Sequence, residues 1–224
     1  MKILGVDTTG ESMSVAITDE DVLGYEVFTN IGKKHSQTLM LAIDQMLGIT
    51  GISLEQLDAF AVSTGPGSFT GIRIGTAAVS ALAYAQQKPV YAVNALDALL
   101  ENVTGSATVC AVMDARRGEV YTKAEHNGEL IIHESALPLE ELLQELMPYE
   151  RVVFVGDAAA KYEDVILRKK PDSTILHQQF LLQRASSVCM CAWKGKAQKT
   201  THDALKPHYL RMSQAERLKR NEGK

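Results

Sequence analysis

The sequence feature that most constrains the fold is a glycine-rich stretch at residues 63–76, which reads STGPGSFTGIRIGT. It follows the apolar run 60–62 and precedes small and apolar residues as far as Ala85, so it predicts a strand, a glycine loop and a helix. Such a loop directs backbone N–H groups and the positive end of a helix toward one point, which suits an anion. It is not a P-loop, because no lysine lies between Lys34 and Lys88. A ligand cradle and a tight strand-to-helix connection both stay open.

The composition indicates an ordinary globular protein. Its 224 residues suffice for one large domain or two small ones, and apolar and charged contents of 46% and 22% are typical. A net charge of -4 argues against binding nucleic acid through a broad positive surface, although it is compatible with a local basic patch. Basic residues gather toward the C-terminal end: Lys194, Lys196, Lys199, Lys206, Arg211, Arg217, Lys219 and Arg220.

Targeting and cysteine features point to the cytoplasm. Asp7 interrupts the N-terminal apolar run too early for a signal peptide, and no apolar run is long enough to span a bilayer. We therefore expect a cytoplasmic protein. The cysteines are too few and too badly spaced for a disulfide framework or a zinc site, so we expect idle thiols at Cys110, Cys189 and Cys191.

The two halves of the sequence repeat one order of elements. An apolar strand ends at Asp7 in the first half and another ends at Asp114 in the second, and each leads into further strands and then alternating helices and strands. A chance likeness of element order is the alternative, which the match of the two aspartates disfavours. The pattern predicts an α/β protein with two tandem lobes, each a mixed sheet flanked by helices. We place the first lobe at residues 1–103, the second, smaller lobe at 104–206, and a C-terminal segment that can return to the first lobe at 207–224.

Two predicted helices carry more apolar surface than one sheet face can cover. Arg73 is the one charged residue in 72–87, and Asp44 is the one full charge in 35–47. A surface helix needs a polar stripe opposite its buried face, so we expect the excess to lie against another molecule in a helical bundle. The alternative is that the helices bury it against each other or against the second lobe. The predicted partner interface comprises His35, Leu39, Met40, Ile43, Met46, Leu47, Ile72, Arg73, Gly75, Thr76, Val79 and Ala83.

Duplicated lobes that begin with a strand, an Asp turn and a strand resemble the superfold of actin, hexokinase and the heat-shock chaperone ATPases, which is ribonuclease H-like. Within this superfold the sequence resembles the bacterial TsaB (YeaZ) family. The resemblance runs from the first strand nearly to the C-terminus, and the glycine-rich stretch 63–76 carries most of it. The supporting motifs are VDTT at 6–9, HSQ at 35–37, MDARRGEVY at 113–121 and PHYLR at 207–211.

The resemblance implies a non-catalytic scaffold and activator subunit of the machinery that makes threonylcarbamoyladenosine at position 37 of tRNAs reading codons that start with adenine. It implies pairing with the paralogue TsaD, which holds the metal and transfers the threonylcarbamoyl group, and with the small ATPase TsaE. It also implies a homodimer in isolation, formed through the apolar helices that otherwise meet TsaD. This chain is then expected to require no cofactor, and ATP and metal are expected on the partner subunits. The chain is expected to meet tRNA only through the complex, and no membrane is involved.

Catalytic and metal-binding residues are not predicted in this chain. Sequences of the TsaD type carry two histidines four residues apart, which can bind one metal ion. The corresponding positions here are Ala95 and Leu99, whose side chains have no electron pair to donate. A remnant of a phosphate loop is the candidate cofactor site, and ordinary turn residues are the alternative interpretation. Its members are Asp7, Thr8, Thr9, Gly65 and Gly67.

The second-lobe counterpart of Asp7 is Asp114, but Arg116 and Arg117 follow it where hydroxyl side chains would suit magnesium and phosphate; a bare arginine pair can instead meet an anion. An ATP-dependent small-molecule kinase of the same superfold and a metalloprotease-like relative stay as alternatives. The kinase needs acids for magnesium in both lobes and an adenosine site, for which residues 156–160 are the candidate. We expect the charged residues 213–220 to be a solvated end, with a contact to tRNA as the alternative.

Overall fold

A computed structural model describes residues 1–32, 34–105 and 107–211. The charged end at 213–220, for which a solvated tail is predicted, lies outside the described residues. Two mixed sheets flanked by helices confirm the predicted fold class. In the part of the chain that is described, no helix is both long enough and apolar enough to cross a lipid bilayer.

The first lobe begins with five strands and three helices. The strands are β1 (Lys2–Asp7), β2 (Met13–Asp19), β3 (Val22–Thr29), β4 (Ala59–Gly65) and β5 (Val90–Asn94). The helices are α1 (His35–Thr50), α2 (Phe69–Gln86) and α3 (Ala95–Leu100), and a short 3-10 turn spans Leu54–Gln56. β1, β4 and β5 run parallel, whereas β2 pairs antiparallel with both β1 and β3.

The second lobe repeats this topology. Its strands are β6 (Thr108–Arg116), β7 (Glu119–His126), β8 (Glu129–Pro138), β9 (Val153–Val155) and β10 (Thr174–Ile175). Its helices are α4 (Leu139–Glu145), α5 (Asp157–Lys161), α6 (Glu163–Lys169) and α7 (Gln178–Leu181). The strand order β10-β9-β6-β7-β8 matches the order β5-β4-β1-β2-β3 of the first sheet. The repeat inferred from Asp7 and Asp114 is therefore a repeat of structure.

The chain then returns to the first lobe. Helix α8 (Ala185–Trp193) packs on the first sheet, where Val188 and Cys189 share a core cluster with Ile3 and Ala61. Strand β11 (Gln198–Thr200) pairs antiparallel with β5 at the edge of the same sheet. The second lobe predicted at 104–206 is corrected accordingly, because its last helix and strand belong to the first lobe. Chain order alone does not show which sheet a late helix joins.

The main core of the first lobe lies between its sheet and helices α1 and α2. β1 and β4 are buried along nearly their whole length because helices cover both faces of the sheet. Helix α2 begins after Ser68, whose hydroxyl accepts a hydrogen bond from the N–H of Gly71. The side chains with which the two helices fill this core include Leu39, Ile43, Met46, Ile72, Val79 and Ala83.

Candidate functional site

The glycine loop packs directly against the turn that follows β1. The N–H of Ser68 donates a hydrogen bond to the carbonyl oxygen of Thr9 at 2.7 Å. The Thr8 hydroxyl donates to the carbonyl oxygen of Gly71, also at 2.7 Å. A Cβ atom on Gly71 would lie 2.0 Å from the Thr8 carbonyl oxygen, so a larger residue could not make this approach. Loop and turn thus fill the space between them.

The residues predicted as a phosphate-loop remnant lie close together. The space beside them is occupied by other parts of the protein. Asp7, Thr8 and Thr9 are 0%, 0% and 1% exposed. A Cβ atom on Gly67 would lie 2.4 Å from the Thr9 carbonyl oxygen, and one on Gly65 would lie 2.3 Å from the carbonyl oxygen of residue 208. In this arrangement the loop is a tight connection between β4 and α2.

Asp7 is a carboxyl group enclosed by protein. Its Oδ1 atom accepts hydrogen bonds from the N–H and from the hydroxyl of Thr9, both at 2.8 Å. Burial away from water raises the pKa of Asp7, and the hydrogen bonds from Thr9 oppose that shift only in part. A carboxyl group without solvent exposure cannot meet a hydrated metal ion unless the loop moves.

In the second lobe, Asp114 is paired with a lysine. Its Oδ2 atom lies 2.6 Å from Lys161 Nζ, and its Oδ1 atom accepts a hydrogen bond from the N–H of Arg116 at 3.0 Å. Asp157 accepts hydrogen bonds from the N–H groups of Asp114 and Ala158, at 3.1 and 3.0 Å. In this arrangement a lysine cation is the partner of the Asp114 carboxylate.

Core side chains fill the positions that hold histidines in sequences of the TsaD type. Ala95 and Leu99 are fully buried in an apolar cluster with β6. Across residues 1–32, 34–105 and 107–211, no three His, Cys, Asp or Glu side chains are grouped so as to hold a metal ion. The cysteines are buried, and burial raises the pKa of Cys110 and of Cys189 to about 12.

Most of the predicted interface residues lie in the core of the first lobe. The buried members of that set are His35, Leu39, Ile43, Met46, Ile72, Gly75, Thr76, Val79 and Ala83. These positions form the inner faces of α1 and α2, so in this fold their side chains are not accessible to a partner helix. Met40 and Arg73 are exposed and Leu47 is half-buried.

The outer faces of the same helices still expose apolar side chains, beside the polar Gln37, Asp44 and Gln45 of α1. On α1, Met40 and Leu41 are 49% and 55% exposed. On α2, Ala77 and Ala81 are exposed, and helical periodicity places both opposite the buried Val79. Periodicity relates these positions to one another, but it does not show which face of α2 meets water, because both faces are made of small and apolar residues. The two-helix surface, as we define it, consists of Met40, Leu41, Ala77, Ala81 and Ala85.

Residues 201–211, the last described part of the chain, run along α2. Near the C-terminal end of this helix, the Ser80 hydroxyl donates a hydrogen bond to the carbonyl oxygen of His202 at 2.7 Å. Near its N-terminal end, the ring of Tyr209 stacks on that of Phe69 with 4.6 Å between the ring centroids. Arg73 Nε donates to the Tyr209 hydroxyl at 2.8 Å. The part of 207–224 that is described thus returns to the first lobe.

The same segment bridges the two lobes. The N–H of His208 donates to the carbonyl oxygen of Thr64 in the first lobe at 2.7 Å, while His208 Nε2 lies 2.9 Å from Glu134 Oε1 in the second. Arg211 forms an ion pair with Glu119, and its Nη1 atom donates to the carbonyl oxygen of residue 115 at 3.3 Å. The hydrogen bond with Glu134 raises the pKa of His208.

Known proteins resemble this chain over nearly its whole length. The family model of TsaD, tRNA N6-adenosine threonylcarbamoyltransferase, matches residues 28–219. The tRNA threonylcarbamoyladenosine biosynthesis protein TsaB of Bacillus subtilis is 30% identical over 227 residues, with 96% of each chain covered. TsaB of Escherichia coli is 29% identical over 225 residues, with 94% of this chain and 95% of the relative covered.

Solved structures agree with this relationship. YeaZ from Pseudomonas aeruginosa superposes with a TM-score of 0.77 at 29% identity, covering 93% of this chain and 99% of the other. A ROK hexokinase from Thermus thermophilus, with a TM-score of 0.50 at 13% identity, covers 88% and 99% and shows the fold alone. The predicted actin- and hexokinase-like fold is thereby confirmed. Because a family model matches most of its length and a relative at 30% identity aligns almost end to end, the chain belongs to the TsaB (YeaZ) family of tRNA threonylcarbamoyladenosine biosynthesis proteins.

Proposed function

We propose that this chain is a non-catalytic scaffold and activator subunit of the machinery that makes threonylcarbamoyladenosine on tRNA. It pairs with the paralogue TsaD and with the ATPase TsaE, for transfer of the threonylcarbamoyl group to adenosine 37 of tRNAs that read codons starting with adenine. ATP and metal bind to the partner subunits, the complex delivers the tRNA, and the work is done in the cytoplasm. The observation that carries this proposal is the exposed two-helix surface.

The two-helix surface has the chemistry of a helix-packing interface. Met40 and Leu41 present large apolar side chains to water, and burying such surface stabilises a complex by about 25 cal/mol per Å². Ala77 and Ala81 lie one turn apart on α2, and side chains this small let the axis of a partner helix come close. Two helices from each partner then form an intermolecular bundle.

The same surface accounts for a homodimer when the partner is absent. A dimer with twofold symmetry uses one patch on both subunits, so a patch that suits helices of a paralogue can also suit its own copy. Homodimer and TsaD pairing then compete for the two-helix surface. Excess TsaD is expected to dissociate the homodimer.

Three features support a role without chemistry in this chain. Asp7 is fully enclosed and its pKa is raised by burial. Asp114, its second-lobe counterpart, is held by Lys161. Ala95 and Leu99 occupy the positions of the metal-binding histidines of TsaD-type sequences and lie in the core.

Co-purification with TsaD tests the docking. Ala81→Glu places a charge on the two-helix surface, and Ala160→Glu places the same change on an exposed alanine of α5 as a matched control. We expect the wild type and Ala160→Glu to pair with TsaD and to dimerise in isolation, measured by light scattering. Ala81→Glu should do neither while keeping its thermal midpoint. Unimpaired pairing of Ala81→Glu would contradict the proposal.

Reconstituted tRNA modification tests the division of labour. This chain alone is expected to modify no tRNA, and activity is expected when TsaD, TsaE, ATP, the threonine-derived intermediate and tRNA are supplied together. Omitting this chain should reduce the rate. Modification by this chain in the absence of TsaD would show that it carries the chemistry itself.

A further inference from the structure

The C-terminal segment assembles a surface from both lobes. Phe69 and Arg73 of α2 contact Tyr209. Two residues further along, Arg211 contacts residues 115 and 119, which flank the turn at residues 117–118. The Cα atoms of Tyr209 and Arg211 are at most about 7 Å apart. A single strand of nucleic acid is therefore long enough to contact both the stacked rings and this turn. We define the arginine-aromatic surface as Phe69, Arg73, Arg116, Arg117 and Tyr209.

The arginines of this surface carry charge that nearby acids do not neutralise. Arg116 and Arg117 are exposed, and the ion pairs found among the described residues include neither of them nor Arg73. Two neighbouring carboxylates have a cationic partner: Asp114 with Lys161, and Glu119 with Arg211. The surface is therefore positive although the whole chain carries a net charge of -4.

The backbone of this turn does not explain its arginines. Arg116 and Arg117 have φ angles of 65° and 58°, in the left-handed region. Asparagine, aspartate and glycine adopt that region with less strain, and they are the residues preferred in tight hairpin turns. What the two arginines add at this point is a pair of exposed guanidinium groups.

Tyr209 adds ring surface beside these arginines. Its ring lies at 22° to the Phe69 ring, and Arg73 Cζ lies 3.9 Å from the centroid of the Phe69 ring. Tyr209 remains 36% exposed, and its hydrogen bond from Arg73 fixes the position of its hydroxyl. Unpaired bases stack on aromatic rings and on guanidinium planes of this kind.

We propose that the arginine-aromatic surface binds RNA, with Arg116 and Arg117 on phosphate groups and an unpaired base against Tyr209. The guanidinium fork matches the oxygens of a phosphate, and the rings match a base. An acidic protein segment would use the arginines and leave the rings idle, which favours RNA. The inference rests on the proposed function only in naming the RNA as a tRNA, and it uses residues outside the two-helix surface.

The test measures the RNA affinity of the full chain by fluorescence anisotropy, with a labelled transcript of a tRNA that reads a codon starting with adenine. We expect a dissociation constant of roughly 1–100 µM at physiological salt, the range of non-specific binding. Arg116→Asn combined with Arg117→Asn keeps the turn, because asparagine tolerates the left-handed region. The double variant should bind more weakly, with a salt dependence shallower by about 1.4, since each phosphate contact on a single strand contributes about 0.7.

Two further sets of variants separate stacking and general charge from this site. Tyr209→Leu should weaken binding roughly 5- to 150-fold, the cost of losing one stacked base, whereas Tyr209→Phe keeps the ring and should retain binding. The control combines Lys169→Gln on α6 with Lys199→Gln on β11, which removes the same charge from exposed positions elsewhere. This control should bind like the wild type.

Several results would overturn the inference. The first is that the wild type does not bind the RNA at concentrations up to about 100 µM. The second is that the arginine variant and the lysine control lose equal RNA affinity. The third is that polyglutamate competes with the RNA while Tyr209→Leu leaves the RNA affinity unchanged. The last result would assign the surface to an acidic protein segment. Co-purification with TsaD is measured on the same variants. Pairing with TsaD but unchanged RNA affinity in the arginine variant refutes this inference alone, and a wild type that binds RNA but not TsaD refutes the proposed function alone.

Discussion

The Nε2 atom of His208 lies 2.9 Å from the Oε1 atom of Glu134, so a contact that is an ion pair when His208 is protonated links the C-terminal segment to β8 of the second lobe. The hydrogen bond with Glu134 raises the pKa of His208. Burial opposes ionisation of Glu134, but hydrogen bonds from His208 and Asn94 outweigh burial and lower its pKa. Because His208 also donates its N–H to Thr64, one residue joins both lobes.

This ion pair predicts a pH dependence of stability. The raised pKa of His208 contributes stability that is fully present below its unfolded value of about 6.5 and is lost as the pH rises through the folded value. The lowered pKa of Glu134 contributes above its unfolded value of about 4.3 and is lost as the pH falls through the folded value. The pair therefore stabilises the fold most between about pH 4.3 and 6.5.

We expect His208→Gln to lower the free energy of unfolding at about pH 5.5 and to have less effect at about pH 8.5. The losses of unfolding free energy at the two pH values should differ by less than about 1 kcal/mol, because the His208 side chain is half exposed. Urea unfolding at both pH values measures this difference. His133→Gln, at an exposed position of the same strand as Glu134, is the control and should show no such difference. An equal loss at both pH values would show that charge on His208 is not involved.

The close contact between the glycine loop and Thr8 predicts opposite effects for two glycine substitutions. Gly71→Ala places a Cβ atom 2.0 Å from a backbone oxygen. It should lower the free energy of unfolding by about 1–3 kcal/mol, the usual cost of overpacking. Gly48→Ala on α1 meets nothing within 4 Å and should stabilise the fold by roughly 0.5–1 kcal/mol through helix propensity. Urea midpoints compare them. A neutral Gly71→Ala would mean that the loop can move away and open a cavity.

The enclosed Asp7 predicts that its charge is dispensable. Burial raises the pKa of Asp7, so stability is lost as the pH rises from the unfolded pKa of this group to its folded value. Asp7→Asn removes that cost, and its amide oxygen can still accept hydrogen bonds from Thr9. We expect unfolding free energy at neutral pH to be no lower than in the wild type. In the reconstituted system with TsaD, tRNA modification should be unchanged. A loss of roughly 100-fold or more would instead indicate a phosphate or metal role.

Burial distinguishes two substitutions on α2. Val79→Glu puts a carboxylate in the core and should cost roughly 3–5 kcal/mol, so the protein should unfold or precipitate. Ala77→Glu lies on the exposed side and should change stability by less than about 0.5 kcal/mol. Thermal midpoints decide between them. Loss of dimer in Val79→Glu would therefore say nothing about docking, whereas a stable Val79→Glu would contradict the core position of this residue.

The duplicated fold was predictable because its signals are local. Asp7 ends β1 and Asp114 follows the buried part of β6, and the elements that come after them occur in the same order in both halves. The strand, loop and helix around residues 63–76 were likewise readable from glycine and apolar spacing. These features depend on neighbours in sequence, so no knowledge of tertiary contacts was needed.

The details of the candidate sites depended on contacts that sequence spacing does not contain. Both faces of α2 are made of small and apolar residues, so periodicity alone did not show that Val79 faces the sheet and Ala81 faces water. The contact of Tyr209 with Phe69 joins residues 140 positions apart in the chain, and nothing local to either residue signals it. Arg116 and Arg117 were recognised as a possible anion contact, but not their proximity to these rings.

The return of α8 and β11 to the first sheet has a consequence for synthesis on the ribosome. The second lobe is one uninterrupted stretch of chain and can complete its sheet as soon as β10 has left the exit tunnel. The first lobe, although translated earlier, must wait for its covering helix and its last edge strand. The half that is made first is thus the half that finishes folding last, and until then one side of its sheet lacks the helix that covers it.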